Sequence, residues 1–358
     1  MPRLFFLALA FLAACGDSNT ASDSGSLTIA GLDEDETVVL FPTAGWLNQD
    51  TREWHLPIHG WVYEPAQSTA RKALFETVLE EKFGLTPSTK TESNLERRLN
   101  LLIADNERGK SLIVNLAGHD YALPPSAENG QFESTIVVAA ADIASFVVDG
   151  RIAYRIGPVT SEIRLVGPTG LSIISDIDDT VKISDVTDKA SLLEHTFLLD
   201  FIAAPGMAEK YQDWSGGDVS FHFVSSSPWQ LYSPLTEFLD DARFPWATLS
   251  LKPVRFRDET FFDLFKKGTE TKPAAIKKIL LAYPDRAFVL VGDSGEQDPE
   301  VYAALIREFP DQVKAIYIRN VSGETADNDR FKAVFDDIEP DLWALFDDPA
   351  ELELPSSP

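Results

Sequence analysis

From Leu27 to about Pro168, apolar and polar positions alternate in short runs bounded by turn residues, as in Thr37–Phe41, Ile58–Tyr63, Ser111–Leu116 and Ser134–Val138. Alternation puts one face of an extended segment in a core and the other in water, so these runs predict strands of a sandwich or barrel. One helix is expected among them, because Leu74, Val78, Leu79 and Phe83 recur at helical spacing between Arg71 and Gly84. After Gly170 the period changes. Largely apolar runs at Leu171–Ser175, Val219–Val224, Ala287–Val291 and Val313–Ile318 alternate with helical patterns over Gly206–Trp214, Leu231–Asp241, Lys272–Ala282 and Pro299–Phe309. This predicts an α/β fold: a Rossmann-like parallel sheet with helices on both faces over 169–346, preceded by a mainly β domain over 27–168. In such open sheets ligands bind beyond the carboxyl ends of the strands, so the residues there decide the chemistry.

The termini follow a different pattern. Arg3 precedes an apolar run, Leu4–Leu12, that is too short for a membrane-spanning helix, which needs about 20 residues, and fits a signal peptide over 1–14. Leu12-Ala13-Ala14-Cys15 resembles the lipobox of bacterial lipoproteins, in which the cysteine carries lipid. Residues 15–26 then form a polar tether, and the expected location is the bacterial cell envelope, lipid-anchored through Cys15. Gly16 replaces the aspartate that retains some lipoproteins at the inner membrane, so either membrane fits. Cys15 is the only cysteine, so a lipidated Cys15 leaves no thiol for a disulfide, a cysteine-ligated metal or cysteine catalysis. The acidic end, 347–358, is expected to be a solvated tail. A net charge of −26 repels phosphate backbones and excludes nucleic acid as the expected partner.

Three strand ends carry candidate chemistry. The first apolar run leads into Asp176-Ile177-Asp178-Asp179-Thr180. Carboxylates at i and i+2 are costly to crowd together unless a cation neutralises them, and Mg²⁺ is the natural partner of hard oxygens plus phosphate. One carboxylate then suits a nucleophile and the other an acid and base. The second run ends in Ser225-Ser226-Ser227-Pro228-Trp229, where the hydroxyl of Ser225, directly after the apolar run, is chosen over Ser226 to hydrogen-bond a phosphate oxygen. A later run ends in Gly292-Asp293-Ser294-Gly295-Glu296-Gln297-Asp298, which supplies Asp293 and Asp298 as oxygen groups. Lys272 opens a helical pattern and offers an ammonium, with Lys266 and Lys267 as competitors for that role.

In this order the clusters resemble the four motifs of the haloacid dehalogenase superfamily of phosphotransferases: D-x-D-x-T, a strand-end Ser/Thr, a Lys and a strand-end acidic pair. The stretches Ile173–Val186, Ala204–Glu209, Phe221–Tyr232 and Phe288–Tyr302 look like the phosphatidate phosphatase catalytic domain of the yeast actin-patch-protein type. His59–Pro65 and Gly167–Ser175 are similar to the segment before that domain in bacterial members. The resemblance implies Asp176 as nucleophile forming an aspartyl-phosphate, and Asp178 as the acid that protonates the leaving oxygen. It implies Mg²⁺ on the Asp176 carboxylate, the Asp178 carbonyl and Asp293, with Ser225 and Lys272 on the phosphoryl oxygens. Thr180 and Asp298 would support the loops. The implied activity is a Mg²⁺-dependent phosphatase acting on phosphatidate at a membrane. The interval between Thr180 and Val219 leaves little room for a large lid, so an open site is expected. Phe256–Lys267 mixes aromatics with a basic end and suits either a membrane interface or a core-facing helix. Two other readings are a phosphatase for a soluble or protein-borne phosphoester, and a lipid-anchored binding protein with vestigial catalysis.

Overall fold

The computed structural model describes residues 32–66, 69–253 and 271–355. The signal peptide, the whole tether with Cys15, and Phe256–Lys267 lie outside the described residues. Among those described, no helix is long and apolar enough to cross a membrane.

The first region is a mainly antiparallel sheet of β1 (Thr37–Phe41), β2 (Thr43–Asn48), β3 (Glu53–Glu64), β4 (Asp105–Asn106), β5 (Ile113–Leu116), β6 (His119–Ala122), β7 (Gln131–Ala139), β8 (Val147–Val148), β9 (Arg151–Ile156) and β10 (Val159–Val166). Strand β3 organises it, pairing antiparallel with β1, β2 and β7, while β10 joins β2 in parallel. Its inward positions, among them Val38, Leu56, Ile58, Val114, Phe132, Ile152 and Ile163, share one core. Three helices interrupt the strands: α1 (Thr69–Phe83), α2 (Glu92–Leu102) and the short α3 (Ala140–Ile143). Only α1 was expected. The buried stripe of α2 is Leu95, Arg98, Leu99 and Leu102; a charged residue at a core position hides the apolar period.

The second region runs β11 (Leu171–Ser175), α4 (Lys189–Phe197), α5 (Met207–Trp214), β12 (Val219–Pro228), α6 (Tyr232–Asp241), β13 (Ala247–Lys252), α7 (Thr271–Ala282), β14 (Ala287–Asp293), α8 (Asp298–Glu308), β15 (Val313–Arg319), α9 (Asp329–Phe335) and β16 (Trp343–Phe346). The sheet order is β13-β12-β11-β14-β15-β16, and every neighbouring pair is parallel. Successive residues of the central strands feed opposite faces. Ile173, Val289 and Val291 pack with Met207, Tyr211 and Leu235 from α5 and α6. Ile174, Phe288 and Leu290 pack with Ile276, Tyr302 and Phe331 from α7, α8 and α9. Helices thus cover both faces of the parallel sheet, and the mainly β region precedes it.

From β11 the chain winds outward to β12 and β13, then returns to β14 and winds the other way. The switch point therefore lies between β11 and β14, where loops diverge and leave a crevice. The β region packs on this unit: Phe41 belongs to the core shared by α5 and α6 and stacks on Trp229 with ring centroids 4.4 Å apart. The acidic end departs from the expectation of a solvated tail. Pro349 and Leu352 are buried, Lys210 of α5 donates to the carbonyls of Ala350 and Leu352, and the Tyr317 hydroxyl donates to that of Glu353.

Candidate active site

Asp176 and Asp293 leave the carboxyl ends of the two strands that flank the switch point. Asp298, the first residue of α8, folds back toward them. All three are buried, and one carboxylate oxygen from each lies within 4.8 Å of the others. The close approach depends on Gly292, where a Cβ would meet Asp298 Oδ2 at 2.3 Å. Asp298 Oδ2 accepts from the Asp293 backbone N–H at 3.3 Å, while Asp293 Oδ1 accepts from the N–H groups of Gly295 (2.6 Å) and Glu296 (3.0 Å). Asp293 Oδ2 is buried and has no hydrogen-bond partner among the described residues.

Among the described residues, the ammonium in contact with this cluster is that of Lys272. The buried Lys272, from the first turn of α7, lies 2.9 Å from Asp176 Oδ1, contacts Asp298 Oδ1 and sits 3.6 Å from Glu296. Burial pushes the Asp176 and Asp293 carboxyls well above the usual range, and the neighbouring carboxylates add to this, with Lys272 acting against it. Burial also works against the Lys272 charge, but Asp176 and Asp298 outweigh it and hold the ammonium well above its usual value. Among the described residues, the Lys272 ammonium meets the carboxylates of Asp176, Asp298 and Glu296, so negative charge is in excess there. A hard divalent cation between Asp176 and Asp293 fits this set, since it would occupy the orphaned oxygen and offset the repulsion.

Asp178 is held apart from the cluster, with both oxygens in use. Oδ1 takes Lys182 Nζ at 2.8 Å and the Ser184 hydroxyl at 2.7 Å. Oδ2 takes the hydroxyls of Ser225 at 3.1 Å and Ser227 at 3.0 Å, both from the end of β12. Burial opposes the charge, but Lys182 and these hydroxyls prevail and lower the carboxyl to about 2. Thr180 donates to Asp176 Oδ2 at 3.3 Å. Asp179 shapes the loop: its backbone sits at φ 54°, and its carboxylate accepts from the N–H groups of Ser184 (2.7 Å), Asp185 (2.9 Å) and Val186 (2.6 Å). Arg319 of β15 pins the same loop through the Asp179 carbonyl at 2.7 Å.

The structure thus brings together Asp176, Thr180, Lys272, Asp293 and Asp298, and joins Asp178, on the same loop as Asp176, to Ser225. Lys266, Lys267 and Cys15 lie outside the described residues. Sequence reasoning missed Lys182, Ser184, Ser227 and the loop-building role of Asp179. Ser227 had a signal, the second hydroxyl after a strand in Ser225-Ser226-Ser227; Lys182 had none, because no periodicity marks it as buried. Beside α7, a cavity of about 310 Å³ opens between the two regions, lined among others by Phe41, Trp46, Trp229, Leu251, Ile279 and Tyr283.

Residues 171–320 match the family model described as the catalytic domain of the phosphatidate phosphatase APP1. The chain is 28% identical over 252 residues to an uncharacterized protein of Schizosaccharomyces pombe, covering 69% of this chain and 39% of that protein. It is 36% identical over 166 residues to phosphatidate phosphatase APP1 of Saccharomyces cerevisiae, covering 45% of this chain and 28% of that protein. The matches therefore span well under half the length of either relative.

Proposed function

We propose that this chain is a phosphoric monoester hydrolase of the haloacid dehalogenase type, acting on phosphatidate to give diacylglycerol and phosphate. The observation that carries the reading is the approach of Asp176, Asp293 and Asp298 to within 4.8 Å at the switch point of a parallel sheet, with a buried carboxylate oxygen left unpartnered. The match of 171–320 to a phosphatidate phosphatase catalytic domain supports it. Mg²⁺ would be held by the Asp176 carboxylate, the Asp178 carbonyl and Asp293, and when bound it supplies positive charge against the phosphoryl oxygens.

In this reading the Asp176 carboxylate attacks phosphorus, an oxygen–phosphorus bond forms, and the bond to the alcohol oxygen breaks as Asp178 delivers its proton. Asp178 then takes a proton from water, which attacks phosphorus and frees Asp176 and inorganic phosphate. Thr180 keeps the attacking carboxylate oriented through its bond to Oδ2. Lys272 and Ser225 stabilise charge on the transferring group. Before substrate enters, Ser225 and Ser227 both donate to Asp178 Oδ2; turning the Ser225 hydroxyl to a phosphoryl oxygen frees one acceptor site of Oδ2 for the leaving oxygen. The incoming phosphate charge at the same time favours the protonated acid.

Two observations favour an apolar alcohol: the largely apolar cavity beside α7, the helix that carries Lys272, and the lipobox-like Cys15. In this proposal lipidation at Cys15 holds the enzyme at a membrane of the cell envelope. The test is phosphate release from phosphatidate vesicles and from soluble phosphomonoesters, with MgCl₂ and with chelator. The expected result is Mg²⁺-dependent release that is faster from vesicles. Faster turnover of soluble esters would transfer the role to the soluble-substrate reading, and no turnover of either would favour a binding protein.

A further inference from the structure

Asp178 is approached from two sides by donors of different kinds. Among the described residues, Oδ2 is bonded by hydroxyls from the end of β12, the side on which the phosphoryl group is expected. Oδ1 is bonded by the Lys182 ammonium and by Ser184, on its own loop. Lys182 is 2% exposed. Burying an ammonium costs several kcal/mol unless a partner compensates, so its place beside the acid calls for an explanation. Its backbone is fixed at both groups: the Lys182 N–H donates to the Ile177 carbonyl at 2.9 Å, and the Lys182 carbonyl accepts from Asp179 N–H at 2.7 Å. Its side chain also contacts the Ser184 hydroxyl and lies 5.0 Å from the centre of the Phe201 ring.

Phe201 leads to the first region of the chain. The guanidinium of Arg98, from α2, lies 3.8 Å from the centre of the same ring. Arg98 is buried and donates to the carbonyls of Thr196 (3.1 Å) and Leu199 (2.7 Å), just before Phe201. Asn94, one turn earlier on α2, donates to the Leu198 carbonyl at 3.1 Å and to Asp200 at 2.9 Å. Helix α2 therefore grips residues 196–200, and this grip sets the ring against which Lys182 rests. A cation over an aromatic face is attracted by the ring quadrupole, which favours one position for a flexible lysine.

We propose that Lys182 is a positioning residue for the reaction, braced by α2 through Arg98 and Phe201, which anchors Asp178 by Oδ1 so that Oδ2 is aimed at the leaving-group oxygen. The inference rests on the phosphatase reading above. It gives the first region a part in turnover, since removing the brace frees the acid without touching the nucleophile or the cluster around Asp293.

The consequence is a selective loss. A misplaced acid slows esters whose alcohol must be protonated as it leaves, and barely affects an ester whose phenolate departs unaided. The test uses the full chain and measures kcat and KM for phosphatidate in vesicles, as the alkyl ester, and for p-nitrophenyl phosphate in the wild type, Lys182→Met and Phe201→Leu, with Asp178→Asn as reference. General-acid catalysis contributes about 10²–10⁴-fold. Lys182→Met is expected to lose about 10²-fold in kcat on the alkyl ester and less than about 10-fold on the aryl ester, with KM little changed on both. Phe201→Leu, which leaves every charge in place, is expected to show the same split at smaller size. It serves as the reading if Lys182→Met does not fold. Equal loss on both esters, or a rise in KM instead of a fall in kcat, overturns the proposal. A wild-type chain inert toward both esters overturns it together with the phosphatase reading, whereas an active wild type with unselective variants overturns the role of Lys182 alone.

Discussion

Gly292 shows how one residue decides the site. Any side chain there would drive Asp298 away from β14, and with it the acceptor for Asp293 N–H and a partner of Lys272. Asp293 is the complementary case: Oδ1 is committed to two backbone N–H groups while Oδ2 has no partner among the described residues. Leaving a buried carboxylate oxygen unmet is costly, and a divalent cation removes the cost. Asp293→Asn is therefore expected to leave the metal-free protein as stable as the wild type or more so, because one repelling charge is gone. It should also abolish stabilisation by MgCl₂. A ligand at one hundred times its dissociation constant adds about 2.7 kcal/mol, so thermal unfolding with and without millimolar MgCl₂ reads the difference. An equal rise in both proteins would remove Asp293 from the proposed metal site.

Among the elements, legibility in the sequence followed burial on both faces. Leu171–Ser175 and Ala287–Val291 were readable because central strands of a parallel sheet are apolar throughout and end on acids. The edge strands β13 and β16 were missed: Ala-Thr-Leu-Ser-Leu-Lys is only half-buried, and Trp343–Phe346 is four residues long. Helix α4 went unread although Asp188 caps it by accepting from Ser191 N–H at 2.8 Å. Asp176, Asp178 and Asp293 were legible because acids at strand ends need a chemical reason. Lys182 and Arg98 were not, because charged side chains are assigned to the surface by default and only their tertiary partners, Asp178 and Phe201, place them inside. In the same way, the acidic tail was judged by its charge, while Pro349 and Leu352 decide where it lies.

For the whole molecule, the join between the two regions carries a pH dependence. His222, on β12, is held down to about 3 by burial, with Arg286 and Arg164 adding to the effect. His59, on β3, is held down to about 4 by burial, with Lys278 adding and Glu133 opposing. Both line the cavity between the regions. A histidine kept neutral in the fold binds its proton only after unfolding, so stability falls as pH drops from 6.5 toward these values, by about 1.4 kcal/mol per pH unit for each. The raised carboxyls of Asp176 and Asp293 act with the opposite sign, so the informative quantity is the difference from His222→Gln. Its urea midpoint is expected to fall less between pH 7 and pH 5 than that of the wild type, and parallel slopes would contradict the buried neutral state. The central claim concerns the assembly as a unit: a parallel sheet aims Asp176 at a phosphoryl group. Its most direct test is to quench the enzyme during turnover of phosphatidate, reduce it with borohydride, which converts an aspartyl-phosphate to homoserine, and map the product by peptide mass spectrometry. The account predicts homoserine at position 176 in the wild type and none in Asp176→Asn; homoserine at another aspartate, or at none during active turnover, would contradict it.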